Sequence, residues 1–331
     1  MRGIALLLVL GGVLIMSAQL AFPVGPTASE LWQAQRWTAA SLLGGAEPRL
    51  PVPSITVVRN NDTVQQNERL CAPMRFGNQV FNTGLFCHAN SRLEVRLQAP
   101  AERFEALIGV DSNAQTQGGR GSVVFSVLIG DTELYKSEVM REGDKPVEVS
   151  VPLGGATEFA LEINDGGDGI SCDQADWVNA QVTLQGGSTL WLGELPMEEA
   201  QVPAFPGGLP FSFTWDGKPS AEVLPTWERR DTVTKLDRTR TQYTYTFTEP
   251  ETRLEFKCVA VQYSDYPAVE WTCYFKNLGT GDTPIIEDIQ ALDTSLTRYN
   301  WPGDDSTEFR LPSFTGSPCR ADYYEPHRMK L

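Results

Sequence analysis

The stretch RLEVRLQAPAERFEALIGV, residues 92–110, decides the fold class of this chain. Its first part alternates polar and apolar residues, its last part is largely apolar, and a proline lies between them. Period-two alternation places neighbouring side chains on opposite faces of a β-strand. Similar segments follow: SVVFSVLI (122–129), VEVSV (147–151), EFALEI (158–163) and WVNAQVTL (177–184). No long helical period separates them, so we predict an all-β sandwich over residues 54–185.

A second β region is predicted over residues 210–331. It begins at PFSFTWDG (210–217) and contains TQYTYTFTEP (241–250), RLEFKCVAVQY (253–263) and AVEWTCYFKNLG (268–279), all rich in aromatic and β-branched residues. The SDYP turn at 264–267 should form a hairpin that brings Cys258 opposite Cys273. We therefore predict a disulfide between these two residues.

The segments around the two β regions complete the predicted organisation. Residues 1–21 have one basic residue, an apolar run and small residues, the layout of a secretory signal peptide. Residues 22–53 are Pro-rich and contain one short helix, which a capping box from Thr27 to Glu30 should begin. Residues 186–209 form a Gly/Pro linker. The predicted fold is two β-sandwiches after a signal peptide and one short helix.

Charge and cysteine content narrow the class of protein. The formal net charge is −15, and so acidic a surface repels nucleic acid and anionic membranes. We expect a secreted or periplasmic protein with no membrane contact after signal cleavage. Six cysteines permit up to three disulfides in an exported chain, and two histidines without C-x-x-C spacing argue against a zinc site. The cysteines are Cys71, Cys87, Cys172, Cys258, Cys273 and Cys319.

The first β region resembles the NPCBM-type carbohydrate-binding module over residues 56–184. The motifs that carry the resemblance are GLFCHANSRLEVRL (84–97), FEALIGVD (104–111), GSVVFSVLIGDTEL (121–134), INDGGDG (163–169) and DQADWVNAQVTL (173–184). That module is a β-sandwich attached to glycoside hydrolases. Cys87 departs from the family, which more often has a small polar residue before His88. Cys71 and Cys172 look like additions and are a candidate local pair.

The second β region resembles the N-terminal sandwich of alpha-galactosidase-type glycoside hydrolases. The resemblance rests on PFSFTWDG, on YPAVEWTCYFKNLGTGDTPIIEDIQALD (266–293) and on GSPCRADYYEP (316–326). In that family both catalytic aspartates lie in a barrel that follows this domain. The sequence has no barrel-length run of alternating strands and helices. We therefore assign no catalytic residue to this chain.

Four residues are candidates for carbohydrate binding: His88, Asp111, Asn113 and Trp177. A neutral imidazole can donate to one sugar hydroxyl and accept from another, short polar side chains suit the remaining hydroxyls, and an aromatic ring suits the apolar face of a sugar. Each has a structural alternative. His88 can be buried and satisfied by backbone, Asp111 and Asn113 can form turn bonds, and Trp177 can pack in the core.

The run NDGGDGISCDQADW, residues 164–177, is a candidate calcium site through Asp165, Asp168, Asp173 and Asp176. Ca²⁺ takes six to eight oxygen ligands, but the order of these residues is not that of an EF-hand loop. A Gly/Asp turn that leads into the last strand is the favoured interpretation. No other cofactor is expected.

With the signal peptide, the two resemblances imply an exported carbohydrate-binding protein, the non-catalytic N-terminal part of a glycoside hydrolase. Galactose-containing glycans are the candidate ligands. One alternative is a part of an alpha-galactosidase-like glycosidase that is active only with a missing C-terminal barrel. The other is a non-catalytic adhesion protein that binds protein.

Overall fold

The computed structural model describes residues 25–42, 48–70, 72–199, 208–294, 310–313 and 327–330, the last two ranges by their backbone alone. The predicted signal peptide, Cys71 and Cys319 lie outside the described residues. The described residues form mostly β-strands in several sheets, so the predicted all-β class is confirmed. No described helix is both long enough and apolar enough to cross a lipid bilayer.

Helix α1, Ala28–Leu42, begins at the predicted capping box. The Thr27 hydroxyl accepts the Glu30 N–H at 3.1 Å, and the Glu30 carboxylate accepts the Thr27 N–H at 2.7 Å. Two N–H groups that the first turn of a helix leaves without intrahelical partners are thereby satisfied. The predicted short helix is therefore confirmed.

Among the described residues, the first β region has twelve strands in two sheets and a separate two-stranded hairpin, β3–β4. Their bounds are β1 Ser54–Arg59, β2 Gln65–Gln66, β3 Met74–Phe76, β4 Gln79–Phe81, β5 Gly84–His88, β6 Ser91–Arg96, β7 Ala101–Val110, β8 Val124–Ile129, β9 Thr132–Lys136, β10 Val147–Pro152, β11 Glu158–Asn164, β12 Gln174–Leu184, β13 Thr189–Trp191 and β14 Met197–Glu199. One sheet has the order β14-β1-β6-β11-β8-β9 and the other has the order β10-β7-β12-β5-β2, with β13 paired to β12. The predicted strand segments all lie in these two sheets.

The apolar residues that alternate along the strands of both sheets meet between the two sheets. Trp177 of β12 is at the centre, with no exposed surface, and its ring lies 5.8 Å from Phe104 and 4.9 Å from Phe125 between centroids. Edge-to-face aromatic pairs at these distances are favourable beyond the area that they bury. The core therefore fixes β12 between β7 and β5.

The outer face of the second sheet is partly covered by the β3–β4 hairpin. Met74 and Phe76 of the hairpin pack on Phe86 and Val178, which point away from the main core. Both faces of β5 and β12 are thus buried along this part of the sheet. Polar residues occupy the same outer face at the strand ends.

The second β region also contains packed sheets. Its elements are β15 Ser212–Trp215, β16 Lys218–Pro219, α2 Ser220–Val223, β17 Glu228–Lys235, β18 Arg240–Thr248, β19 Leu254–Tyr263, β20 Val269–Asn277, β21 Ile286–Gln290, β22 Arg310–Ser313 and β23 His327–Lys330. Phe213 of the sheet β16-β15-β21 packs on Phe256 and Phe275 of the sheet β17-β18-β19-β20, with ring centroids 5.0 Å apart in both pairs. This aromatic contact is part of the second core.

Cys258 and Cys273 lie directly opposite each other on β19 and β20, as the predicted hairpin requires. Both are free thiols in this structure, so the predicted disulfide is not formed here and stays a prediction. Cys87 is a buried free thiol in the first core, and Cys172 is a half-buried one. The candidate pairing of Cys172 with Cys71 stays a prediction, because Cys71 lies outside the described residues.

Candidate functional site

A cluster of polar side chains lies on the outer face of the second sheet, where β5 and β7 end and β12 begins. His88, the last residue of β5, is the cross-strand partner of Gln174, the first residue of β12. Asp111 follows β7, and its N–H donates to the Gln174 carbonyl at 2.9 Å. Strand alternation therefore puts these three side chains on one face. We call the following set the polar cluster: Arg69, His88, Asp111, Asn113, Gln174 and Asp176.

Asn113 organises the cluster by hydrogen bonds. Its Nδ2 donates to the Asp111 carboxylate at 2.7 Å and to Gln174 Oε1 at 2.8 Å. Arg69 Nη2 donates to the same Gln174 oxygen at 3.1 Å, and the Gln174 amide nitrogen donates to Gln115. Asn113 and Arg69 are half-buried and Gln115 is exposed, so the cluster reaches solvent. Planar groups fixed in this way suit the recognition of neutral hydroxylated ligands.

Two buried carboxyl groups lie beneath these amides. Asp111 accepts the Arg75 N–H at 2.9 Å, and its Oδ1 lies 3.4 Å from Arg69 Nε. Asp176 has no exposed surface. Burial, and then the neighbouring Asp111 carboxylate, raise the pKa of Asp176 well above its ordinary range, while Arg69 acts in the opposite direction. The protonated form of Asp176 is thereby favoured.

His88 is buried, and the backbone holds its ring at one nitrogen. Nδ1 lies 2.9 Å from the Ala89 carbonyl, which can only accept, so the Nδ1–H tautomer fits this contact. Its backbone N–H donates to Asn60 Oδ1 at 3.2 Å. The other ring nitrogen, Nε2, is the acceptor of this neutral tautomer. The backbone contact at Nδ1 agrees with the structural alternative for His88.

The structure brings His88, Asp111 and Asn113 together, but it excludes Trp177 from the site. Trp177 faces the interior of the sandwich, the opposite side of β12 from Gln174 and Asp176. The prediction that its ring contacts sugar is therefore wrong, because a sugar cannot stack on a ring that lies wholly within the core. Its structural alternative, core packing, is confirmed.

The four aspartates of the candidate calcium site do not converge. Among the described residues, no three His, Cys, Asp or Glu side chains are placed to share a metal ion. Asp176 belongs to β12 beside Asp111, whereas Asp165, Asp168 and Asp173 belong to the preceding loop. The calcium prediction fails because the strand that begins at Gln174 separates Asp176 from the loop.

The loop itself is held by bonds to Ser122. The Ser122 N–H donates to Asp173 Oδ1 at 2.7 Å, and its hydroxyl donates to Asp168, which also pairs with Arg141 at 3.3 Å. The Ser122 hydroxyl lowers the pKa of Asp168. Burial, together with Asp168 and Asp165, raises the pKa of Asp173 to about 6. These bonds identify the aspartate-rich run as a turn fixed against the sandwich.

Arg69, Gln174 and Asp176 are the members of the polar cluster that the sequence did not indicate as sugar-site residues. Arg69 and Gln174 are 105 positions apart. They meet because β5 pairs both with β12 and with β2, the strand that precedes Arg69. No local sequence pattern indicates such a contact. The sequence makes Asp176 a candidate calcium ligand, whereas the structure places it beside Asp111.

Comparison with known families covers the first sandwich. Residues 54–183 match the family model described as the NPCBM/NEW2 domain. This region is similar to the NPCBM/NEW2 domain. The match ends before the second β region, so the resemblance of residues 210–331 to alpha-galactosidases is not confirmed and stays a prediction. The polar cluster lies wholly within the matched residues.

A relative from Renibacterium salmoninarum, named "Putative endo-alpha-N-acetylgalactosaminidase", is 33% identical over 109 residues. The aligned part is 33% of this chain and 7% of that protein, so the chain spans a small fraction of its relative. Among solved structures, the CBM51 of GH95 from Clostridium perfringens in complex with methyl-galactose is 23% identical. That likeness covers 41% of this chain and 96% of that chain, with a TM-score of 0.35.

The tandem CBM51 modules of Sp3GH98 from Streptococcus pneumoniae are 14% identical to this chain. The likeness covers 74% of this chain and 90% of that chain, with a TM-score of 0.34. At these values the solved structures assign no ligand and no residue role to the polar cluster. The assignment rests on the contacts within this molecule.

Proposed function

We propose that the NPCBM/NEW2 domain binds carbohydrate without transforming it, and that the polar cluster is the binding site. The observation that carries the proposal is the bonded set of planar groups from Asn113, Gln174 and Arg69 at a solvent-facing edge. A sugar offers hydroxyls that both donate and accept, and an amide or an imidazole provides both functions. Holding these groups in place before binding reduces the entropy lost when the ligand orders them.

The polar cluster does not provide the carboxyl pair of a glycosidase. Glycoside hydrolysis needs two carboxyl groups on either side of the scissile bond, roughly 5–5.5 Å or 6.5–9.5 Å apart. Asp111 and Asp176 instead lie side by side and are almost fully buried. The two carboxyl groups therefore cannot lie on opposite faces of one sugar ring. The name of the Renibacterium relative supports the proposal that the domain accompanies a glycosidase whose catalytic residues lie outside the polar cluster.

The ligand and the location of the protein are part of the same proposal. Galactose and N-acetylgalactosamine are the proposed ligands, because the predicted resemblance and the name of the relative both indicate galactose-type rings. Export through a signal peptide would place the domain where such glycans occur. N-terminal sequencing of the exported protein tests this part, since the proposal expects a start near residue 22.

The binding experiment is titration calorimetry of the purified chain with methyl galactoside and with N-acetylgalactosamine. Asn113→Ala, Gln174→Ala and His88→Ala should each weaken binding roughly tenfold or more, since an unpaired buried partner costs about 1–3 kcal/mol. Gln98→Ala is the matched control, because Gln98 is an exposed amide before β7 at the opposite end of the strand. Equal affinities in all four folded variants would move the site elsewhere. Binding to protein but to no glycan would favour the adhesion alternative.

A further inference from the structure

Helix α1 is buried around more of its circumference than one supporting surface explains. A helix that lies on a single body buries a stripe about 100° wide. At about 100° per residue, the buried positions of α1 extend over roughly 220°. These positions are Trp32, Arg36, Thr38, Ala39, Ser41 and Leu42. The helix therefore has contacts on more than one side.

One set of contacts joins α1 to the first sandwich. The Ser29 hydroxyl donates to Gln66 Oε1 at 2.7 Å. The Gln66 amide nitrogen in turn donates to the Leu195 carbonyl at 2.7 Å and to the Leu192 carbonyl at 3.3 Å. The side chains of Leu192 and Leu195 belong to the first core. The first turn of α1 is thus connected through one glutamine to the segment in which the first sandwich ends.

The other set of contacts joins the C-terminal half of α1 to the second sandwich. Trp37 stacks on Trp271 of β20, with 5.9 Å between ring centroids and an angle of 30°. Leu42 is 1% exposed and belongs to the second core, together with Phe211 and Phe256. Along the chain, α1 precedes the first sandwich, yet its apolar side chains complete the core of the second. The predicted linker at residues 186–209 is only partly a linker, because β13 and β14 within it belong to the sheets of the first sandwich. The rest of that segment is not the sole connection between the two sandwiches.

We propose that α1 is a clamp that holds the two sandwiches in one fixed arrangement. Leu42 and the Trp37–Trp271 stack attach it to the second sandwich, and the Ser29–Gln66 bond attaches it to the first. The polar cluster would then face a defined direction relative to the second sandwich instead of swinging on a Gly/Pro linker. This proposal is independent of which ligand the first sandwich binds.

The test separates the covalent connection from the clamp. A protease recognition sequence is placed within residues 200–207 of the full chain, between β14 and the second sandwich. After cleavage, α1 and the first sandwich form one fragment, and the second sandwich forms the other. If α1 is a clamp, the two fragments stay together and co-elute in size-exclusion chromatography. Separation of the wild-type fragments would overturn the proposal.

Variants then identify the contact that holds the fragments together. Trp37→Ala should weaken their association at least tenfold, whereas Trp37→Phe, which retains a ring, should retain most of it. Tyr266→Ala is the control, because Tyr266 is an exposed aromatic residue in the turn between β19 and β20. If Trp37→Ala lowers the folded fraction of its fragment, judged by near-ultraviolet circular dichroism, Trp271→Ala carries the test from the other side. Association as tight as wild type in a folded Trp37→Ala or Trp271→Ala variant would contradict the clamp.

Discussion

The carboxyl group of Asp176 lies against that of Asp111 within the polar cluster, and both side chains are almost fully buried. Two carboxylates this close cannot both ionise without strong repulsion, and Arg69 compensates one negative charge rather than two. The pair is therefore a proton-binding group inside the folded domain. Its protonation links the stability of the domain to pH.

The first prediction is that Asp176→Asn removes a loss of stability with rising pH. The pKa of Asp176 is raised by folding, so above an unfolded pKa of about 3.9 the folded state holds a proton that the unfolded state has released. In the wild type, the contribution of Asp176 to the free energy of unfolding should therefore be fully present at low pH and be lost as the pH rises towards the folded pKa. The variant should be more stable than wild type at pH 7, with a difference that shrinks towards pH 4.

Thermal melts from pH 4 to 8 check this prediction. Asp131→Asn is the matched control, because Asp131 is exposed in the turn between β8 and β9. The control should follow the wild-type profile. An Asp176→Asn profile parallel to wild type over the whole range would show that Asp176 ionises normally.

The second prediction concerns Asp173 and covers a defined pH window. Its pKa is raised to about 6, mainly by burial, while the unfolded pKa is about 3.9. Stability from this group should therefore decline between about pH 4 and pH 6 and then level off. Asp173→Asn keeps an oxygen that can accept the Ser122 N–H and should abolish the decline in this window. Chemical denaturation at pH 4, 5, 6 and 7 measures the free energy of unfolding. If that free energy falls between pH 4 and pH 6 as steeply in Asp173→Asn as in wild type, the raised pKa of Asp173 is refuted.

The third prediction is that Trp177 supports the fold and not the ligand. Trp177→Ala should lower the free energy of unfolding by about 3–5 kcal/mol, the usual cost of truncating a large buried aromatic residue. Trp191→Ala, which changes a tryptophan with 36% exposure, should cost far less. Urea denaturation gives both values. Equal costs for the two variants would mean that the ring of Trp177 is not in the core.

The fourth prediction is that Cys258 and Cys273 form a disulfide in the exported protein. They face each other across an antiparallel pair, and closing a loop of about 15 residues stabilises by about 3 kcal/mol in the chain-entropy model. Mass spectrometry without reduction should show their two peptides joined. Cys87 serves as the internal reference, because it is buried in the other core and should remain a free thiol. Free alkylation of both Cys258 and Cys273 after unfolding would refute the pairing.

The fifth prediction concerns Gly84, where β5 passes close to β12. Its φ of +137° disfavours any side chain, and a Cβ there would collide with the Trp177 carbonyl and approach Val178 Cα to 2.7 Å. Gly84→Ala should therefore destabilise the first sandwich by more than about 1 kcal/mol. Gly281→Ala is the control, since a Cβ there meets no neighbouring atom. A Gly84→Ala variant as stable as wild type would contradict the close pairing of β5 and β12.

Most strands were predictable because their pattern is local. The alternation in 92–97 and 147–151 marks one buried face without knowledge of any partner strand, and the SDYP turn fixes which residues of β19 and β20 meet. Trp177 is a candidate from sequence because a sugar site needs an aromatic ring, and alternation separates two faces without showing what covers each. The structure shows that Phe104 and Phe125 cover its face.

The polar cluster was only half predictable for the same physical reason. His88, Asp111 and Asn113 attract notice as polar residues at strand ends. Gln174 joins them through the pairing of β12 with β5 and β7, and Arg69 joins through a contact over 105 positions. Such contacts follow from the packing of the whole sheet, which no short window of sequence contains.

The most direct test of the central claim is an NMR titration of the full chain with methyl galactoside and N-acetylgalactosamine, read at the side-chain amide signals. The account predicts that the NH₂ signals of Asn113 and Gln174 shift progressively and saturate with one of these sugars. The signal of Gln98, at the far end of the strand, should stay in place. Saturable shifts confined to residues outside the polar cluster, or no shift with any sugar, would contradict the claim that this cluster binds carbohydrate.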